Sequence, residues 1–94
     1  TTKLDIGDYL NIGGYQISFD GKLNIDRSLV YNYDAGLKQL SSPKLDKCEL
    51  KIFYDQHIIE IYINNGEYVL SNIVYNLSND INSNTIFIIF NDLE

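Results

Sequence analysis

The chain predicts an all-β protein, a two-sheet antiparallel β-sandwich of jelly-roll-like form with little or no helix. Three observations carry this reading. Apolar and polar residues alternate with period two through Leu50–Tyr75, LKIFYDQHIIEIYINNGEYVLSNIVY, the pattern of half-buried strands. Turn-forming residues interrupt the apolar runs about every ten residues. No stretch holds a helical apolar period over a useful length. With 94 residues, the chain reads as one domain, residues 1–94, able to bury roughly 65% of its unfolded surface.

Leu4 to Ile12 supplies one short strand, broken by Gly13-Gly14. Tyr15–Phe19 and Leu23–Asp26 both alternate, and the Asp20-Gly21 pair between them invites a two-residue turn. Parity rejects that turn, because it would set Phe19 against Lys22. A three-residue loop, Asp20 to Lys22, pairs Phe19 with Leu23 and Ile17 with Ile25, with a type I turn followed by a left-handed residue. Ser28 to Tyr33 reads as a further strand. Asp34 to Lys47 holds Gly36, Ser41-Ser42 and Pro43 and reads as a long connection, with a short helical turn near Leu37–Leu40 as the alternative.

The Leu50–Tyr75 meander is the best specified part. Asn65-Gly66 is a strong hairpin signal, because both residues tolerate positive φ. A turn there pairs Ile63 with Tyr68 and Ile61 with Leu70. A loop from Asp55 to Ile58 pairs Tyr54 with Ile59, Ile52 with Ile61 and Leu50 with Ile63. Both loops put the same apolar face inward. Asn76 to Asn84 is a polar loop. Thr85–Phe90, apolar on both faces, reads as a central strand.

Composition narrows the function classes. A net charge of −6 lacks the basic stripe of a nucleic-acid binder. No apolar run approaches a membrane span. The single cysteine, Cys48, cannot form an internal disulfide and favours a reducing, cytoplasmic compartment. Thr1 stands where a translation product has Met, so the sequence reads as a fragment of a longer chain.

Catalytic signals are sparse. His57 is the only histidine and lies in a hairpin loop without a cluster around it. Cys48 has no histidine or basic pocket beside it in sequence and reads as packing. Asp5 with Asp8, or Asp46 with Glu49, has the residue types of a glycosidase pair. With 13 acidic residues in the chain, such neighbours arise by chance. Asn76-Leu77-Ser78 fits the glycosylation triplet, a frequent chance match. No residue is assigned as catalytic, cofactor-binding or metal-binding, and no cofactor is expected.

The outward face of the meander is less easily dismissed. Phe53, Ile58, Tyr62, Val69 and Ile73 all fall on it and make it more apolar than a free-standing sandwich shows, so either a strand or loop of this module covers it or these residues form a contact with another domain. Glu60 lies among them. Arg27, at the end of the LNIDRS strand, is the natural carboxylate partner for it.

The Leu50–Tyr75 stretch also resembles the C-terminal β-sandwich module of glycoside hydrolase family 32, which includes invertase and sucrose-6-phosphate hydrolase. The resemblance lies in Leu50-Lys51-Ile52-Phe53-Tyr54-Asp55, then Ile59-Glu60-Ile61-Tyr62-Ile63, then Asn64-Asn65-Gly66-Glu67, with Leu23 to Ser28 running upstream into Asp-Arg-Ser. Arg27, Asp55, Glu60, Tyr62 and Gly66 are the signature positions it marks. Tyr62 departs from the family's usual phenylalanine, Asn65 from an aspartate, and Gln56-His57 from Arg-Ser.

The resemblance implies a non-catalytic module that packs on and stabilises a catalytic β-propeller of the same chain, with homo-oligomerisation as a further role. The parent activity it implies is hydrolysis of β-fructofuranosidic bonds in sucrose 6-phosphate or sucrose. The family's catalytic motifs include Asn-Asp-Pro-Asn-Gly and Arg-Asp-Pro, whereas Pro43 follows Ser42, and Cys48-Glu49 reverses the Glu-Cys order. The chain alone is expected to be inactive. A free-standing carbohydrate-binding or protein-interaction sandwich is the alternative, with the eight tyrosines as candidate sugar-stacking surfaces. An immunoglobulin-like module is disfavoured by the lack of paired cysteines and tryptophan.

Overall fold

A computed structural model describes residues 2–30, 37–75, 77–78, 80–87 and 89–91, the side chains of 90 and 91 excepted. In chain order the strands are β1 (Thr2–Leu4), β2 (Tyr9–Ile12), β3 (Tyr15–Phe19), β4 (Lys22–Asp26), β5 (Gln39–Lys44), β6 (Cys48–Asp55), β7 (Ile58–Ile63), β8 (Tyr68–Ile73), β9 (Ile81–Ser83) and β10 (Ile89–Asn91). A single 3-10 turn, Ser28–Val30, follows β4. The strands form two five-stranded sheets. One runs β1-β6-β7-β8, with β10 also on β6, and the other runs β5-β4-β3-β2-β9. All pairings are antiparallel except β10 on β6. The all-β sandwich expected from the alternation is the observed fold.

Parity gave the hairpin registers correctly. Phe19 faces Leu23 and Ile17 faces Ile25. Leu50, Ile52 and Tyr54 face Ile63, Ile61 and Ile59, and Ile63 and Ile61 face Tyr68 and Leu70. Two turns differ in detail. The left-handed residue of the Asp20–Lys22 loop is the central Gly21 (φ 107°), not the last one. The β6–β7 ladder extends to Asp55 opposite Ile58, so only Gln56-His57 remain in that turn, with Gln56 at φ 57°.

Other segments depart from expectation for identifiable reasons. The first dozen residues supply two strands, because β1 pairs with the start of β6 and β2 with β3. Ser28–Val30 turns instead of extending, as Val30 N–H bonds back to Arg27 O (3.0 Å). Residues 31–36, the rest of that expected strand and the start of the long connection, lie outside the described residues. Within the expected connection, Gln39–Lys44 pairs with β4 as an edge strand. It tolerates Pro43 because the register there shifts. Lys22 to Asn24 opposes Lys44 to Ser41, so β5 carries one extra residue. Ser42 repairs the ladder: its hydroxyl accepts from Leu23 N–H (2.9 Å) and donates to Pro43 O (2.7 Å). Within the Asn-rich loop, β9 adds to β2. The last run, expected at a sheet centre, is described as the short β10, paired with β6 alone.

The core lies between the sheets. Leu50, Ile52, Ile59, Ile61 and Ile63 from one sheet meet Leu10, Tyr15, Ile17, Leu23 and Ile25 from the other, all essentially inaccessible to solvent. Two polar links cross it. The Tyr15 hydroxyl donates to Asn72 Oδ1 (2.6 Å). The Arg27 guanidinium donates through Nη1 to Ile73 O (2.6 Å) and through Nε to Leu37 O (2.6 Å).

Gly13 sits where the segment after β8 crosses the β2–β3 turn. Its N–H bonds Asp80 O, and its carbonyl accepts from Ser78 N–H, each at 3.1 Å. A Cβ there, at φ +60°, would lie 2.4 Å from Ser78 O, whereas one on Gly21 meets nothing within 4 Å. Gly21→Ala is expected to cost about 1–2 kcal/mol from backbone strain alone. Gly13→Ala should cost more, because it also breaks this contact. Urea denaturation of the two variants checks the order.

Candidate functional site

The residues marked in the sequence fall into separate places. His57 is exposed at the β6–β7 turn, stacked on Tyr75 with ring centroids 6.0 Å apart. Cys48 is buried in the core with a free thiol. Asp8 turns its carboxylate back onto Asp5 N–H (2.8 Å). Glu49 faces Lys47 at 3.9 Å. These are local contacts. Among the described residues, no group of three His, Cys, Asp or Glu side chains gathers where it could hold a metal ion. Nor, among the described residues, is any helix long and apolar enough to cross a membrane. Asn76 of the glycosylation triplet lies outside the described residues.

What the ladders do assemble is the outer face of the β6-β7-β8 meander. The register sets Lys51, Tyr62 and Val69 abreast, then Phe53, Glu60 and Ser71, then Asp55, Ile58 and Ile73. Phe53 and Tyr62 meet edge to face, with centroids 5.4 Å apart and planes at 84°, the arrangement that ring quadrupoles favour. Ile58, Val69 and Ile73 are 47%, 49% and 42% exposed. A shallow hollow of about 510 Å³ lies over Lys51, Phe53, Glu60, Tyr62 and the Asn65-Gly66 turn. A smaller one of about 210 Å³ lies among Phe53, Asp55, Ile58 and Glu60. Among the described residues, Asp55 Oδ1 is shut off from solvent and has no hydrogen-bond partner. A buried carboxylate oxygen left this way is costly.

Gly66 (φ 92°) serves the turn, together with Asn64 and Asn65 at φ 51° and 63°. Asn64 continues the ladder with its side chain. Its Oδ1 accepts from Glu49 N–H (2.9 Å) and its Nδ2 donates to Lys47 O (2.8 Å).

Arg27 and Glu60 are not partners. Glu60 faces outward on β7, while Arg27 is 1% exposed and its guanidinium bonds backbone carbonyls between the sheets. Sequence reasoning took the carboxylate as the obvious acceptor. No side-chain pattern could have disclosed the carbonyls, because acceptors of this kind are present at every residue. A second outward face, on β2 to β5, also escaped notice. Its signal was available in the polar residues at alternate positions of Tyr9–Asn11, Gln16–Ser18 and Asn24–Asp26.

The fold and its faces define a class: a β-sandwich module with an exposed apolar surface. The family model for the C-terminal domain of glycosyl hydrolases family 32 matches residues 15–92. The chain belongs to that family and is a module of a glycosidase. Neither the curated proteins nor the solved structures give a significant match.

Two measurements follow from the buried groups. Arg27→Lys cannot reproduce the fork of donors and should destabilise the fold by about 2 kcal/mol or more. Glu60→Gln, on the outer face, should stay within about 0.5 kcal/mol of the parent in the same urea titration. Burial pushes the Cys48 thiol from 9.0 up to about 11. The unfolded chain therefore loses that proton first, and stability should fall as pH rises from about 9 towards 11. Burial raises the Tyr15 phenol as well, against a smaller lowering by Arg27, and acts in the same sense. Denaturation midpoints across this range should fall, and Cys48→Ala should make the fall shallower without removing it.

Proposed function

We propose that this chain is the non-catalytic C-terminal module of a β-fructofuranosidase that cleaves sucrose 6-phosphate or sucrose. It seats the outer face of the β6-β7-β8 meander on the catalytic β-propeller of the same chain and stabilises it. One observation carries this most strongly: the apolar patch on that face adjoins Asp55, one of whose carboxylate oxygens is sealed and, among the described residues, unpartnered. Phe53, Tyr62, Ile58, Val69 and Ile73 offer a surface of the kind domains bury against each other. Asp55 and Glu60 within it call for a cationic side chain from whatever covers them, since a desolvated carboxylate is stable only when paired. The buried free thiol of Cys48 agrees with a cytoplasmic enzyme, for which the phosphorylated disaccharide is the preferred substrate of the two. The same apolar face would serve a homo-oligomer if it extends beyond the propeller contact.

The accessory role is tested by catalysis and by docking. Purified chain, free of contaminating glycosidase, should release no fructose from sucrose or sucrose 6-phosphate, and measurable turnover would overturn the accessory role. Val69→Asp with Ile73→Asp should leave the module's own stability within about 1 kcal/mol, because both side chains are exposed. The same pair should lower the melting temperature of the joined catalytic domain. An unchanged melting temperature would place the contact on another surface.

A further inference from the structure

The sandwich has a second outward face, chemically unlike the first. Across β2, β3, β4 and β5 the register aligns Tyr9, Ser18, Asn24 and Ser41 in one row. The next row, starting from β9, aligns Asn82, Asn11, Gln16, Asp26 and Gln39. These rows line a hollow of about 760 Å³, larger than the hollow of about 510 Å³ on the other sheet. With adjacent strands about 4.8 Å apart, a row across four strands spans about 14 Å. That is the length of a short oligosaccharide.

The chemistry of the hollow is specific. Every outward side chain is an amide, a hydroxyl or a phenol except Asp26. The carboxylate of Asp26 is already engaged: its Oδ1 accepts from both the N–H (2.9 Å) and the hydroxyl (2.6 Å) of Ser28, and its Oδ2 accepts from Gln39 (3.3 Å). Those two Ser28 bonds hold it below the usual carboxylate range, so it stays an anion and repels anionic ligands. Lys22 and Lys44 pair off beyond the first row, outside the hollow. Gln16, Ser18, Ser41 and Asn82 spend none of their side-chain hydrogen-bonding capacity on the described residues. Amides carry both donors and acceptors in one plane, which suits the paired hydroxyls of a sugar. Tyr9, 45% exposed at the end of its row, adds an aromatic surface for the apolar face of a sugar ring. Its backbone is fixed by Asn84 Oδ1 (2.9 Å) and the Ser83 hydroxyl (3.1 Å).

We propose that this hollow is a binding site for a short neutral oligosaccharide. It lies on the sheet opposite the docking face, so the module can hold glycan while seated on a catalytic domain. The assignment stands on the hollow's own chemistry and does not depend on which reaction the parent enzyme performs.

The test is an amide chemical-shift titration of the chain with an inulin-type fructo-oligosaccharide, a cello-oligosaccharide and, as an anionic counterpart, an oligogalacturonate. A shallow open site of this kind should give a Kd of about 1 mM. Saturable shifts with either neutral probe, centred on Asn11, Gln16, Asn24 and Gln39, would support the site. Gln16→Ala with Asn24→Ala, both on the solvent side of their strands, should weaken binding at least about tenfold, whereas Tyr62→Ala on the opposite sheet should leave it unchanged. The absence of saturable shifts at tens of millimolar of both neutral probes would overturn the proposal. So would shifts confined to β6-β7-β8, or equal binding of the oligogalacturonate. If the cello-oligosaccharide binds and the fructan does not, the site stands, and the fructosidase assignment loses its support from this face.

Discussion

The sandwich depends on a polar seam at one edge of an otherwise apolar interior. Tyr15 from β3 and Arg27 from the end of β4 reach across to two consecutive residues of β8, Asn72 and Ile73. Aliphatic side chains hold the sheets together without regard to angle or offset, since burial is non-directional. Two directional bonds to neighbouring residues of an edge strand remove that freedom. They fix where β8, and with it the whole outer face of the meander, stands relative to the other sheet. Arg27 also takes Leu37 O, so the chain leaving β4 is tied to the same point.

Arg27 is not a surface charge: it is 1% exposed. Its guanidinium donates to two main-chain carbonyls, Leu37 O and Ile73 O, a task it suits because its donors diverge in a rigid plane. Glu60 and Asp55 belong to the outside, where a covering domain would meet them. Residues of opposite charge thus serve opposite sides of one sheet.

The hairpins were legible in the sequence because burial and pairing agree there. Ile17 with Ile25, or Ile61 with Leu70, can be matched by parity and loop length, since a one-residue slip puts core isoleucines against polar partners. β5 and β9 were not legible for the converse reason. In Gln39–Lys44 only Ser42 is buried, and Ile81–Ser83 buries no side chain fully. These strands are recruited by the open edges of β4 and β2 through main-chain bonds, and their own side chains carry no alternation to read. The outer apolar face was anticipated because it uses the same alternation as the core. The polar face was passed over because amides and serines look like ordinary solvent-exposed positions until the register lines them up.

The extra residue in β5 has a consequence for how copies of this chain can meet. An exposed edge is a template on which another strand can add, and repeated addition builds a fibril. At β5 the template is spoiled: Pro43 offers no N–H, and the displaced register puts the remaining groups out of step with a straight incoming strand. The opposite end of that sheet closes on β9, only three residues long. Growth by extending this sheet is thereby discouraged at both margins.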